Sequence, residues 1–442
     1  MTQTAHKLLY LFAPPAERRK LVVLVSVLTL MALVEVLGVA SIMPFMAVVA
    51  RPEVLQGDGM LATAYKALGF QSTMTFLVAA AAVTLAALVL SNTISGLGNW
   101  LLFRFTFVQA HVLSARLLAS YMARPYTFFL EHNTSELSKN VLTEVNRVSV
   151  GVLVPALQLF AKLVVAIMLI AVLLAAEPVL TVSMAAAVSA AYAVFYSAVR
   201  HWLLASGRES TLASEACHRF TLEALSGIKD IKISGREEEF LRRFTSPSLK
   251  LAKHSAAAQA ISLLPKYALE TIAFGVILSI ALYLVVTRED SATVIPIVAL
   301  YAFAGYRLMP ALQQIYSSLA IIRFNTGALN ILYEDLRNAP MQAPANAIID
   351  YKREIRMEHL TFSYPGSGSI LQDLSLAIDA NTTVAFTGTS GAGKTTLIDV
   401  LLGLLLPQSG RLLIDGIELN PATVRSWQRK IGYVPQQIYL SD

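Results

Sequence analysis

Six stretches of this 442-residue chain are apolar and long enough to cross a bilayer as helices, and no other feature narrows the fold so far. They are Leu21–Ala50, Thr73–Leu102, Val148–Ala176, Val179–Leu204, Ile261–Thr287 and Thr293–Ile322; a spanning helix needs about 20 residues. Apolar residues make up 55% of the chain and charged ones 14%, whereas soluble domains carry about 25% charge. A polytopic helical membrane protein follows. The run after Arg18, Arg19 and Lys20 exceeds the apolar core of a secretory signal and reads as a retained first span.

Charge gives the expected orientation. Four Lys/Arg precede the first segment, five lie between the second and third, and more still between the fourth and fifth. The other three connections hold two, none and one. The positive-inside rule then places both termini and both long connections in the cytoplasm. The formal charge of +6 is absorbed by these loops and calls for no nucleic-acid partner. Cys217 is the only cysteine, so no intrachain disulfide forms.

The long connections, Phe103–Arg147 and Ala205–Ala260, keep helical periodicity with mixed charge, which predicts membrane helices that continue into the cytoplasm. Before the first span, Leu8, Leu9, Leu11 and Phe12 form an apolar cluster ended by Pro14 and Pro15, readable as an interfacial helix or a simple leader. Pro44, Pro155, Pro265, Pro296 and Pro310 are expected to bend helices.

Composition changes after the sixth segment. Residues 1–337 are assigned to the membrane domain, 338–347 to a linker with Pro340 and Pro344, and 348–442 to an α/β domain. Strands are predicted over Glu354–Tyr364, Ile370–Ile378, Thr383–Thr387, Arg411–Ile414 and Gly432–Val434. Gly388-Thr389-Ser390-Gly391-Ala392-Gly393-Lys394-Thr395 follows an apolar β-rich run and precedes the helical run Thr396–Leu406, the setting of a phosphate-binding loop. Glycines let successive backbone N–H groups turn toward phosphates, and the helix N-terminus adds partial positive charge. Lys394 is expected at the β- and γ-phosphates and Thr395 at Mg²⁺, with Thr396 completing the nucleotide contacts.

Three flanking landmarks resemble the ATP-binding-cassette family: Phe362-Ser363-Tyr364-Pro365 before the loop, Gly410-Arg411-Leu412-Leu413-Ile414-Asp415-Gly416 after the first helix, and Ile431-Gly432-Tyr433-Val434-Pro435-Gln436 beyond it. The resemblance implies that Tyr364 stacks on adenine and that Gln436 contacts Mg²⁺ and the attacking water. ATP and Mg²⁺ are the implied cofactors. It also implies a six-helix exporter-type membrane domain followed by a partial P-loop nucleotide-binding domain, acting as a homodimer of half-transporters in a plasma (inner) membrane. Short coupling helices are expected at Pro125–Leu137 and Glu215–Ser226.

The family's signature peptide, catalytic glutamate and switch histidine have no counterpart in these residues. The expectation is therefore of a truncated chain that binds nucleotide weakly without hydrolysing it, ATPase activity belonging to a full-length parent. Arg124–Asn133 and Leu225–Lys232 resemble segments of lipid-linked-oligosaccharide flippases. The implied cargo is a lipid-linked oligosaccharide, a lipid or another amphiphile. A peptide or drug exporter, an ATP-gated channel, a non-functional remnant and a membrane-anchored P-loop kinase or sensor are the alternatives. Within the membrane, Glu35, Lys266, Glu270 and Arg307 are candidates for function by their charge alone. Lys266 and Glu270, four apart, can pair along one helix face.

Overall fold

The computed structural model describes residues 2–12, 17–50, 52–56, 59–176, 178–287, 291–338, 349–364, 366 and 368–435. It divides into two compact units, one of Met1–Leu118 with Ser135–Arg337, the other of Ala119–Thr134 with Asn338–Asp442.

The first unit is helical. A short α1 (Thr2–Phe12) is followed by α2 (Arg18–Ala40), α3 (Ile42–Ala50), a 3₁₀ turn at Pro52–Leu55, and α4 (Met60–Ala67). The long α5 (Thr73–Met122) runs into the second unit, which contributes α6 (Tyr126–Glu131). Then come α7 (Thr134–Lys139), α8 (Val145–Val148) and α9 (Val154–Ala176), joined by π turns at Asn140–Glu144 and Ser149–Leu153. They are followed by α10 (Pro178–Ser226), α11 (Ile228–Ser234), α12 (Glu237–Thr287) and α13 (Ser291–Arg337).

Among the described residues, three helices are long and apolar enough to cross a membrane: Arg18–Gly38, Thr73–Met122 and Thr134–Leu174. The other three expected spans lie on α10, α12 and α13, whose side chains are described in part. On α5, Val78, Val83, Val89, Leu97 and Trp100 face outward, an arrangement suited to lipid rather than water. At 50 residues α5 is roughly 75 Å long, well beyond a hydrocarbon layer of about 30 Å. The expected continuation of spans into long helical connections is met in α5, α10 and α12.

Two prolines leave identifiable marks. Pro44 clashes with the carbonyl four residues earlier, and α2 ends at that residue, Ala40. Pro155 cannot donate to the Gly151 carbonyl, which sits in the second π turn and accepts instead from Asn325 Nδ2 on α13 at 3.4 Å. A Cβ on Gly151 would lie 2.5 Å from that same amide nitrogen, so only glycine permits the approach.

The N-terminal helix does more than line a surface. Lys7 Nζ donates to Asn330 Oδ1 (2.8 Å) and lies over the Tyr333 ring, while Tyr10 meets the same ring edge-on. Arg116 Nη1 donates to the Leu11 carbonyl (2.8 Å), satisfying an orphan acceptor at the helix end. Leu11 and Phe12 are buried.

The second unit contains a four-stranded antiparallel sheet of order β2-β1-β3-β4, with β1 Glu354–Phe362, β2 Leu371–Asp379, β3 Ser409–Ile414 and β4 Ile417–Glu418. Helices α14 (Lys394–Leu401) and α15 (Val424–Gln428) follow β2 and β4. Met357, Leu360, Phe362, Leu397, Val400, Leu412, Ile414 and Trp427 form the core. Trp427 Nε1 donates to Leu401 O (2.8 Å), tying α15 to the end of α14. The Asp415 carboxylate accepts from the backbone N–H groups of Lys352 (2.6 Å), Arg353 (2.8 Å) and Glu354 (2.8 Å), fastening the β3–β4 turn to the start of β1.

Three local expectations are corrected. Thr383–Thr387 and Gly432–Val434 form no ladder, because no strand lies beside them among the described residues and β propensity needs a partner to act on. Val384, Tyr433 and Val434 are exposed accordingly. The second short connecting helix is α11 rather than Glu215–Ser226, which is the last part of α10. Glycines set its limits: Gly227 interrupts α10, and Gly235 ends α11 in the left-handed conformation (φ 64°).

Candidate functional site

The phosphate loop is read from the backbone upward. Gly391 (φ 86°) and Gly393 (φ 81°) take left-handed conformations, and Gly393 is the N-cap of α14. A Cβ on Gly393 would meet Ile370 Cγ2 at 3.0 Å, so both torsion and space require glycine there. Gly388, Thr389, Ser390, Gly391 and Ala392 are exposed, as is Thr395 in the first turn of α14. Lys394 Nζ donates to the carbonyls of Gly388 (2.8 Å) and Thr389 (2.7 Å), so its ammonium is folded over the loop.

This geometry fits a nucleotide polyphosphate. The donors are a glycine-shaped backbone and a helix N-terminus, which attract anions together. The lysine's loop contacts are to neutral carbonyls, which phosphate oxygens can replace with stronger charge-assisted bonds. Thr396, by contrast, is buried, and its hydroxyl lies 3.4 Å from the Tyr364 hydroxyl. Tyr364 is half-buried and meets Phe362 edge-on at 5.1 Å, so the aromatic expected at adenine stands beside the first turn of α14. Gln436, expected to contact Mg²⁺ together with Thr395, and Pro365 lie outside the described residues.

Helix α6 belongs to this same unit. Pro125 is its N-cap, and Phe128 stacks on His132 (4.0 Å) while Arg124 lies over the Phe128 ring (4.3 Å). Burial pushes the Tyr126 hydroxyl above its ordinary pKa, and the negative charge of Asp399 and the phenols Tyr364 and Tyr433 add to the shift. Burial also raises Asp399, which lies on α14. The first short connecting helix is thus electrostatically close to the residues around the loop.

A second polar site lies in the helical unit and was not read as a site from the sequence. Lys162 on α9 donates to both carboxylate oxygens of Glu35 on α2, at 3.0 and 2.9 Å. About one turn lower on α9, Gln158 Oε1 accepts from Gln314 Nε2 of α13 at 2.9 Å, and the same nitrogen approaches Ser318 Oγ at 3.3 Å. Further along, Arg147 donates to Asn325 Oδ1 (2.8 Å), Thr211 Oγ1 (3.1 Å) and Ser210 Oγ (3.2 Å), with Glu144 at 3.8 Å. Glu144 is fully buried, Lys139 nearly so, and Lys139 Nζ lies 3.6 Å from Glu215. The available signal was a lysine inside the third apolar segment, a residue type that is rare there without a role. Arg147 had counted only as a loop charge.

Of the four intramembrane charges singled out, Glu35 is paired as described, and Lys266 and Glu270 form an i,i+4 pair at 3.9 Å on a half-exposed face. The Arg307 side chain lies outside the described residues.

The profile of the ABC transporter transmembrane region matches residues 21–311, and that of the ABC transporter domain matches residues 371–442. An ATP-dependent lipid A-core flippase of Aromatoleum aromaticum is 26% identical over 78% of the chain, which spans 57% of that protein. A multidrug resistance ABC transporter ATP-binding and permease protein of Lactococcus lactis is 23% identical over 71% of the chain, which spans 53% of it. The structure of a bacterial Atm1-family ABC exporter with ATP bound superposes with a TM-score of 0.72 at 20% identity, covering 96% of this chain and 72% of that one. This last likeness is one of fold.

Proposed function

Because the chain belongs to the ABC transporter family, whose transmembrane region accounts for residues 21–311, we propose that it works in ATP-driven export or flipping of a lipid-linked oligosaccharide, a lipid or another amphiphile. The observation that carries the reading is a phosphate cradle on the same chain as helices that hold a buried polar seam within apolar spans. In a purely structural membrane domain such a seam would carry desolvation cost with no return.

In this reading Lys394 turns from the Gly388 and Thr389 carbonyls to the β- and γ-phosphates. Thr395, exposed in the first turn of α14, offers its hydroxyl to Mg²⁺ together with Gln436. Tyr364 stacks on the adenine ring, and the buried Thr396 sets the position of its hydroxyl. ATP, when bound, supplies the free energy of its hydrolysis to separate two conformations of the membrane helices. Hydrolysis is assigned to the assembled transporter. The working unit is a homodimer in the plasma (inner) membrane with both termini cytoplasmic, and α6 carries the nucleotide state toward the helices. A drug exporter is the second reading, supported by the printed name of the Lactococcus relative.

The test is flipping of a fluorescent glycolipid in vesicles containing the assembled transporter, read by loss of access to a membrane-impermeant quencher. ATP with Mg²⁺ is expected to drive it and Lys394→Ala to stop it. Equal rates with and without ATP would end the pump reading.

A further inference from the structure

Resting on the export reading, we propose that Arg147 is the bolt of a two-position latch between α8 and α10 that opens and closes in the transport cycle. In the position seen here it ties α8 to α10 and α13. In the other it turns to Glu144, and α10 is released. The acceptors of the first position all lie on other helices. Asn325 Oδ1 on α13 accepts from Nε (2.8 Å), while Thr211 Oγ1 (3.1 Å) and Ser210 Oγ (3.2 Å) on α10 accept from Nη1 and Nη2. The guanidinium also lies over the Phe324 ring at 5.4 Å. Beside it the helices touch: a Cβ on Gly207 of α10 would lie 2.0 Å from the Phe324 carbonyl oxygen.

The second position is already furnished. Glu144 is fully buried, and neither of its carboxylate oxygens accepts a hydrogen bond among the described residues. Arg147 Nη1 stands 3.8 Å from Glu144 Oε2, about 1 Å beyond a charge-assisted hydrogen bond. Such a carboxylate has given up its hydration without replacement, a cost that the contacts of Arg147 with α10 and α13 offset. A bidentate pair with Glu144 takes two nitrogens of the guanidinium fork, so it competes with the bonds to α10. The other charged or titratable groups that act on Glu144 are Lys139, His218 and Glu215, and each is engaged elsewhere. Lys139 Nζ lies 3.6 Å from Glu215 on α10, and His218 Nε2, also on α10, lies 3.1 Å from the Thr143 hydroxyl. These contacts also cross to α10 and part with it.

The segment that carries both groups can change register. α8 is a single turn between two π turns, Asn140–Glu144 and Ser149–Leu153. A π turn holds about one residue more than an α turn, and such turns are frequent at functional sites. Passing that residue along the chain rotates α8 by roughly 100° about its axis. Arg147 is then carried off α10, and Glu144, three residues away on the same face, moves with it. The Gly151 carbonyl in the second π turn already accepts from Asn325. Loss of the α10 contacts and gain of the ionic pair occur together, which gives the element two discrete states.

The experiment reads the distance from the first π turn to α10 by double electron–electron resonance, in lipid nanodiscs and without nucleotide. Spin labels are attached through Leu142→Cys and Leu212→Cys, both at exposed positions, in the full 442-residue chain carrying Cys217→Ser. An excess of unlabelled chain confines the signal to distances within one chain. Ser210→Ala/Thr211→Val removes both acceptors on α10 and should raise the ratio of long to short distances about tenfold. Adding Glu144→Gln removes the ionic seat and should return that ratio toward the wild-type value. A network that only stabilises the fold would be weakened further by the same change. Should the double variant fail to fold, Ser210→Ala alone removes one hydroxyl and should shift the ratio the same way, about threefold. An unchanged ratio in the acceptor variants, or no return on adding Glu144→Gln, overturns the latch. ATP-driven flipping by the assembled transporter stands or falls separately, because no nucleotide enters this measurement.

Discussion

The phosphate loop and the membrane seam are both polar sites, but they are made in opposite ways. The loop is eight consecutive residues, exposed, with its donors on the backbone and its shape in the torsions of Gly391 and Gly393. The seam draws on α2, α8, α9, α10 and α13, is largely buried, and works through side chains that satisfy one another across long sequence separations. Removing a loop side chain therefore deletes a ligand contact, whereas removing a seam side chain leaves buried partners stranded. Function and stability should separate between them.

The largest effect expected from that difference is in the seam. Arg147→Met removes the donors to Asn325, Thr211 and Ser210 and the cation 3.8 Å from the buried Glu144, and breaking a buried pair from one side costs about 3–5 kcal/mol. Thermal unfolding in detergent should show a clear fall; an unchanged transition would mean that the network is not formed. Next comes Gly393→Ala, which forces a left-handed alanine against Ile370 and should cost about 1–2 kcal/mol, with a larger proportional loss of nucleotide binding. Trp427→Phe keeps an aromatic side chain but removes the bond to Leu401 O, about 1 kcal/mol measured by urea unfolding, with some loss of packed ring volume besides.

The smallest effect is a pH dependence. Asp415 is held below the ordinary aspartate pKa by the N–H of Glu354 first, and then by those of Lys352 and Arg353. Its folded value is depressed, so its contribution is fully present above the unfolded value, near 3.9, and is lost as pH falls through the lower folded value. Asp415→Asn should flatten that acid limb of the unfolding profile. An identical limb in wild type and variant would remove the turn from the account.

The contrast between local and distributed sites also explains what could be read in advance. The phosphate loop was legible because its requirement for glycine, lysine and threonine is contiguous. The spans were legible because lipid imposes one composition over about 20 residues. Helix limits at Pro44 and Gly235 follow from single residues. Thr383–Thr387 misled because its β-branched character speaks only of propensity, and a ladder depends on a neighbour elsewhere in the chain. Glu215–Ser226 misled because mixed charge looks the same on a short docking helix and on the end of a long one. Lys162 and Arg147 gain their meaning from Glu35 and Asn325, at separations of 127 and 178 residues, which periodicity cannot connect.

The most direct test crosses the two regions in one protein: equilibrium binding of a fluorescent ATP analogue, with unfolding temperature, for the wild type, Lys394→Ala and Arg147→Met in nanodiscs. The account predicts that Lys394→Ala loses nucleotide and keeps its unfolding temperature, while Arg147→Met keeps nucleotide and unfolds earlier. Tight nucleotide binding by the Lys394→Ala chain would contradict it, since the loop would then not be the nucleotide site.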